Sequence, residues 1–186
     1  MSFLATVLPP AIVWLVLRRL TDELRHQAGR DPLTQLLNRR GLTQALQRHF
    51  ETRPAAPAFL LMIDVDHFKR INDSHGHQAG DHVLSEVAQV IRSQARAGDL
   101  TGRTGGEEFV TICTDSDARA AVHAARRLRA AVEKQVLRVP GVAHPLSCTV
   151  TVGVSHAFAN AAALEPALRG ADAGLVDGLH RRRQRE

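Results

Sequence analysis

The sequence is poor in aromatic residues. Of 186 residues none is tyrosine, one is tryptophan and six are phenylalanine. A chain of this length can bury the core of one domain with a short extension, and here that core must be aliphatic. Cysteine is equally scarce. Cys113 and Cys148 each lie in an apolar stretch of strand character, so two reduced core thiols are expected rather than a disulfide framework. There are no internal repeats, no low-complexity tract, no Gly-x-x-x-x-Gly-Lys phosphate loop and no dinucleotide-binding glycine pattern. The formal net charge is +5, and much of the excess sits in His180-Arg181-Arg182-Arg183-Gln184-Arg185. Outside that tail bases and acids are mixed, so no nucleic-acid partner is expected.

The long uncharged run is N-terminal, from Phe3 to Leu17, with Arg18-Arg19 directly after it. A bilayer span needs roughly 17–25 residues, so this run is just long enough, although Pro9-Pro10 interrupt it. No positive charge precedes it, as a secretory leader would require. Residues 1–17 are read as a membrane segment, with a buried helix as the alternative. Arg18 and Arg19 then put the rest on the cytoplasmic side of the cytoplasmic membrane. Leu17, Leu20 and Leu24 make residues 18–30 a helical linker with a narrow apolar seam.

The chemistry concentrates in two stretches. Arg103-Thr104-Gly105-Gly106-Glu107-Glu108-Phe109 has β-favouring residues on both sides of a glycine pair, which predicts a hairpin with positive φ at its turn. Two adjacent carboxylates at its tip suit a hard divalent cation, and the glycines admit a ligand close to the backbone. The second stretch is the apolar strand Phe59-Leu60-Leu61-Met62-Ile63, ending in Asp64-Val65-Asp66. Strand-end carboxylates are a usual way to hold Mg²⁺ over a phosphate. Asp64 and Glu107 together are suited to one or two Mg²⁺ ions that orient a triphosphate and help deprotonate an attacking hydroxyl. The N–H groups of His67, Phe68 and Lys69 open a helix and are placed for phosphate oxygens.

The remaining pattern fills in the fold. Asp31-Pro32 reads as a helix N-cap with Leu33, Leu36 and Leu37 on the apolar face, and Arg53-Pro54-Ala55-Ala56-Pro57 ends that segment. A short helix is expected over Phe68–Ser74 and a turn at His75-Gly76-His77. A longer helix opens at Asp81, with Val83, Leu84, Val87, Val90 and Ile91 inward. Ser116 or Asp115 caps another, with Ala118, Val122, Ala125, Leu128 and Val132 repeating at helical spacing. Val150, Val152 and Val154 alternate with Thr149, Thr151 and Ser155 as a half-buried strand. The order strand, two helices, hairpin, helix, strand, helix gives an α/β fold, a largely antiparallel sheet covered by helices.

Several of these motifs together resemble one family. Gly105-Gly106-Glu107-Glu108-Phe109 is similar to the signature of the GGDEF family, the diguanylate cyclases, in its Glu-for-Asp form. Asp64-Val65-Asp66-His67-Phe68-Lys69-Arg70-Ile71-Asn72-Asp73, with Gly76-His77 and Gly80-Asp81, looks like the family's second motif. Asp31-Pro32-Leu33-Thr34 with Leu37-Asn38-Arg39-Arg40 looks like its entry motif. The resemblance assigns 31–186 to a GGDEF domain of palm-like nucleotide-cyclase fold, strong over Asp31–Gly153 and poor beyond.

The resemblance also implies roles. Asp64 and Glu107, with the Val65 carbonyl, would ligate Mg²⁺ or Mn²⁺, and Glu108 would help activate the 3′-hydroxyl. Asn72 and Asp81 would read the guanine edge, Gly105 and Gly106 would border the substrate, and Arg183 would meet phosphate. Two such half-sites facing each other in a homodimer would turn two GTP into cyclic di-GMP and pyrophosphate. Arg96-Ala97-Gly98-Asp99 is by itself a commonplace turn, but it stands at the offset of the family's product-inhibition site, where Arg96 and Asp99 would hold cyclic di-GMP. Two departures are visible. Gln35 replaces a usual glycine. The C-terminal helix is divergent, with Leu179 in place of a phosphate-contacting lysine and with Gly174 and Gly178 weakening it. The alternative these departures favour is a weak or inactive domain that serves as a cyclic di-GMP or GTP receptor.

Overall fold

The computed structural model describes residues 12, 14, 15, 29–54 and 56–171. The apolar run Phe59–Val65 forms strand β1 at the centre of a four-stranded, wholly antiparallel sheet of order β2-β3-β1-β4. Strand β2 is Leu100–Gly105, β3 is Glu108–Cys113 and β4 is Val150–Val154. A central strand with helices on both faces has no solvent side, which is why β1 is a continuous apolar run rather than an alternation. Leu60 and Met62 face one layer, and Phe59, Leu61, Ile63 and Val65 face the other.

Helix α1 (Arg39–Thr52) covers the first face with Leu42 and Leu46, joined by Leu164, Ala167 and Ala171 of a helix at 164–171. The other face is covered by α2 (Phe68–His75), α3 (His77–Gln94) and α4 (Ala118–Glu133). A short 3-10 turn, Ala161–Ala163, precedes the last helix. The core is aliphatic, as the composition requires: Phe109 is the one aromatic among its largest fully buried side chains.

Three helix starts differ from the sequence reading. Asp31 caps a turn rather than a helix: its Oδ1 accepts from the Thr34 N–H at 2.8 Å and from the Thr34 hydroxyl at 2.7 Å. Gln35 takes a left-handed φ of 60°, which a helix cannot pass through. The chain instead runs beside β2, where Leu37 donates to Thr101 and accepts from Arg103, and the helix begins at Arg39 under an Asn38 cap. Helix α3 starts at His77, one turn before Asp81, because Gly76 at φ 83° reverses the chain directly out of α2. Helix α4 is capped by Asp117, whose Oδ1 accepts from the Ala120 N–H at 2.7 Å; Asp115 is left-handed and Ser116 is buried. Its buried stripe is accordingly Ala121, Ala125, Leu128 and Val132, leaving Val122 exposed.

The expected membrane segment at 1–17, the linker at 18–30 and the divergent C-terminal helix with Arg183 fall almost wholly outside the described residues. Ile12, Trp14 and Leu15 are helical and exposed. Among the described residues no helix is long and apolar enough to cross a membrane.

Candidate active site

The sheet register builds the site. Near the end of β1, Asp64 stands opposite Glu108 of β3 on one side and Thr151 of β4 on the other. The Val65 N–H reaches the Glu107 carbonyl at 3.4 Å. The end of β1 and the tip of the β2–β3 hairpin are thus one continuous edge, carrying Asp64, Glu107 and Glu108. Asp64 and Glu107 are half-buried and Glu108 is exposed.

The tip is a two-residue turn, Gly106-Glu107, with a bulge at Thr104 beside it. Gly105 pairs with Glu108, and the register slips between Arg103 and Gly105. Of the two glycines only Gly106 has positive φ, at 43°. A Cβ on either would meet nothing within 4 Å. Arg103 braces the tip from below, donating through Nε and Nη2 to the Gly106 carbonyl at 3.0 and 2.7 Å while Nη1 meets Asp31 Oδ1 at 3.2 Å. Burial alone would raise the Asp31 pKa, but the Thr34 hydrogen bonds and the Arg103 guanidinium together hold it below its ordinary value. Beside the tip lies a cleft of about 310 Å³ that Arg39, Arg40 and Arg103 line. Arg39 is ion-paired with Glu165. That hydrogen bond raises its pKa, with Glu108 adding a smaller electrostatic pull.

Beyond Asp64 the chain turns through His67, at φ 58° and ψ 26°, into α2, whose first turn has no side-chain cap. His67 and Lys69 are exposed and Phe68 packs partly on the core. From α2, Asn72 projects against Gly80 of α3: a Cβ at Gly80 would lie 1.9 Å from Asn72 Oδ1. Asn72 is thereby brought next to Asp81, which is exposed. Asn72 Oδ1 is buried and has no hydrogen-bond partner. A buried orphan acceptor is costly, and an incoming N–H donor would satisfy it.

Arg96 and Asp99 lie at the far end of β2, about 17 Å from the tip at the usual rise per strand residue. Asp99 Oδ2 accepts from the Arg96 N–H at 2.9 Å, and the Asp99 N–H returns to the Arg96 carbonyl at 3.1 Å. One residue here escaped the sequence reading. Arg127 of α4 donates to the Gln94 carbonyl at 2.8 Å. Burial pushes the Cys113 thiol up to about 11, with Asp99 raising it further and Arg96 and Arg127 opposing. Arg96, Asp99 and Arg127 thus all act electrostatically on one thiol, a grouping of residues up to 31 positions apart that no local motif signals. Burial likewise pushes Cys148 up to about 11.

The donor set suits a hard cation carried by a substrate. Among the described residues no cluster of three or more His, Cys, Asp or Glu side chains forms a closed cage. Two carboxylates and a backbone carbonyl are what Mg²⁺ takes when substrate phosphates and waters complete its shell.

The family model for the diguanylate cyclase GGDEF domain matches residues 28–185. The chain belongs to the GGDEF family. Diguanylate cyclase DosC of Escherichia coli K12 is 40% identical over 126 residues, covering 66% of this chain and 27% of that protein. Probable diguanylate cyclase DgcT of the same organism is 35% identical over 159 residues, covering 86% of this chain and 34% of that protein. The chain thus spans about a quarter to a third of these relatives' lengths. Among solved structures, Pseudomonas aeruginosa SiaD, a diguanylate cyclase in complex with its activator SiaC, superposes with a TM-score of 0.74 at 35% identity, over 91% of this chain and 65% of that one. The coiled coil and GGDEF domain of Caulobacter crescentus DgcB, in complex with c-di-GMP, gives 0.73 at 27% identity over 91% and 90%. The α/β fold and the GGDEF resemblance read from the sequence are both borne out.

Proposed function

We propose that this GGDEF domain is an active diguanylate cyclase that condenses two GTP into cyclic di-GMP and pyrophosphate. The observation that carries the reading is the shared edge, where Asp64 faces Glu108 and the Val65 N–H meets the Glu107 carbonyl. Asp64, Glu107 and the Val65 carbonyl are the residues that would hold Mg²⁺ or Mn²⁺. The ion would supply charge neutralisation of the triphosphate and a lowered barrier to deprotonating the 3′-hydroxyl.

The chain's own residues do the rest. The orphan Asn72 Oδ1 accepts an N–H of the guanine edge, and Asp81 accepts another. That pairing rejects adenine, which would leave the buried Asn72 acceptor unmatched. The N–H groups of His67, Phe68 and Lys69 receive phosphate oxygens. Gly105 and Gly106 let the ribose lie against the backbone, and Glu108 takes the proton of the attacking hydroxyl. Arg183 adds a phosphate contact. Each 3′-oxygen attacks the α-phosphorus of a GTP held by a second copy, so the working form is a homodimer. Arg96 and Asp99, together with Arg127, hold cyclic di-GMP for feedback. Residues 1–17 anchor the domain at the cytoplasmic membrane, with the catalytic domain on the cytoplasmic side.

A receptor without turnover is the second reading, favoured by Leu179 at the position of the family's lysine. One experiment separates the two. The purified chain with GTP and Mg²⁺ should yield cyclic di-GMP, and Asp64→Asn should yield none while binding guanosine as before. Cyclic di-GMP binding without synthesis by the wild type would establish the receptor instead.

A further inference from the structure

Asp64-Val65-Asp66 has two carboxylates two residues apart, but the structure uses them differently. Strand β1 ends at Val65, and Asp66 turns toward β4. Thr149 donates its hydroxyl to Asp66 Oδ2 at 2.5 Å and Thr151 donates its own to Oδ1, also at 2.5 Å. Both carboxylate oxygens thus accept from a hydroxyl, and hydrogen bonds to a charged acceptor are stronger than neutral ones. The backbone joins in, since the Asp66 N–H donates to the Thr149 carbonyl at 2.9 Å. One residue earlier the Val65 N–H is held by Glu107. The N–H groups of the two residues before His67 are therefore held from both sides, Val65 by the hairpin tip and Asp66 by Thr149 at the start of β4.

Immediately after that grip the backbone is strained. His67 sits in the left-handed region, which a side chain with a Cβ avoids unless its surroundings enforce it. Its side chain makes no cap hydrogen bond to α2. The chain enters α2 through this one residue, directly after Asp66.

We infer that Asp66 is a positioning residue and not a metal ligand. Clamped by Thr149 and Thr151, it holds the left-handed turn at His67 so that the N–H groups of His67, Phe68 and Lys69 face the triphosphate. The inference rests on the proposed role of those N–H groups, and it assigns a function to Thr151 on β4 and to Thr149 directly before that strand, both more than eighty residues from Asp66.

The test is binding rather than turnover, so it stands whether or not the chain makes product. A non-hydrolysable GTP analogue with Mg²⁺ is titrated calorimetrically into wild type, the Thr149→Val/Thr151→Val pair and the Thr149→Ser/Thr151→Ser pair. Guanosine, which has no phosphate, is titrated by NMR. The valine pair, which keeps β-branching and shape, should weaken the analogue by about ten-fold or more and leave guanosine affinity unchanged. The serine pair keeps both hydroxyls and should restore the analogue. At saturating analogue, the Mn²⁺ bound per analogue in the Asp66→Asn variant should match wild type, whereas Asp64→Asn should lose it.

Equal analogue affinity in the valine pair would overturn the clamp, as would a parallel loss of guanosine or a loss of Mn²⁺ in Asp66→Asn. A wild type that binds the analogue without making product would contradict the cyclase reading alone. A wild type that does not bind the analogue would remove both.

Discussion

Gly102 and Gly105 lie three residues apart on the same strand and are glycine for opposite reasons. A Cβ on Gly102 would come within 2.5 Å of the Leu42 side chain and 2.7 Å of the Leu37 carbonyl oxygen, so the entry segment and α1 leave room only for hydrogen. A Cβ on Gly105 would meet nothing within 4 Å, and its φ is not positive. Nothing in the chain's own packing or backbone asks for glycine at 105. Under the proposed function, that open space is where the ribose of GTP would lie. The hairpin then divides into a strand shaped by the fold and a tip shaped for substrate.

The largest effect should fall at the tip. Glu107→Gln keeps size and removes a charge, so synthesis should drop by about a hundred-fold or more, as for loss of a key electrostatic group. The thermal midpoint should stay at the wild-type value, because Glu107 is half-buried without an ion pair among the described residues. A shifted melting curve in this variant would blur the division. Gly102→Ala is the converse. Forcing a methyl against a backbone oxygen should cost about 1–3 kcal/mol, and about 2–4 °C of melting temperature per kcal/mol in a chain of this size.

Smaller changes sharpen the boundary between the two parts. Gln35 occupies a left-handed position where glycine has no Cβ penalty, so Gln35→Gly should stabilise by up to about 1 kcal/mol, read by urea denaturation. The smallest effect concerns Asp31, which links the entry turn to the Arg103 brace. Its folded pKa lies below the unfolded value, so its contribution is complete above the ordinary Asp range. It is lost as pH falls through the folded pKa. Melting curves of wild type and Asp31→Asn should therefore converge as the pH drops below about 4 and separate above it.

The sequence made the sheet legible because β1 and β3 are apolar on both faces and the hairpin announces itself by its glycine pair. The same two stretches carry the candidate site, because the register that pairs β1 with β3 sets Asp64 opposite Glu108 beside the turn holding Glu107. Helix starts were harder. Asp31-Pro32 has the composition of a cap, but the turn it closes passes through a left-handed Gln35, and no propensity rule encodes that conformation for glutamine. Asp115, Ser116 and Asp117 are all competent caps, and only the buried environment of Ser116 and the left-handed Asp115 select Asp117. The neighbours of Asp66 and Arg127 were invisible because tertiary folding brings Thr149, Thr151 and Gln94 to them from distant segments.

The central claim is that the tip is built for a ligand and the strand beneath it for the fold. Gly105→Ala and Gly102→Ala, each assayed for thermal midpoint and for cyclic di-GMP formation from GTP and Mg²⁺ at a temperature where both are folded, test it most directly. The account predicts a crossed result: Gly105→Ala melts with wild type and loses most synthesis, while Gly102→Ala melts lower and, while folded, keeps most of it. Full synthesis in Gly105→Ala, or a melting loss as large as that of Gly102→Ala, would contradict it.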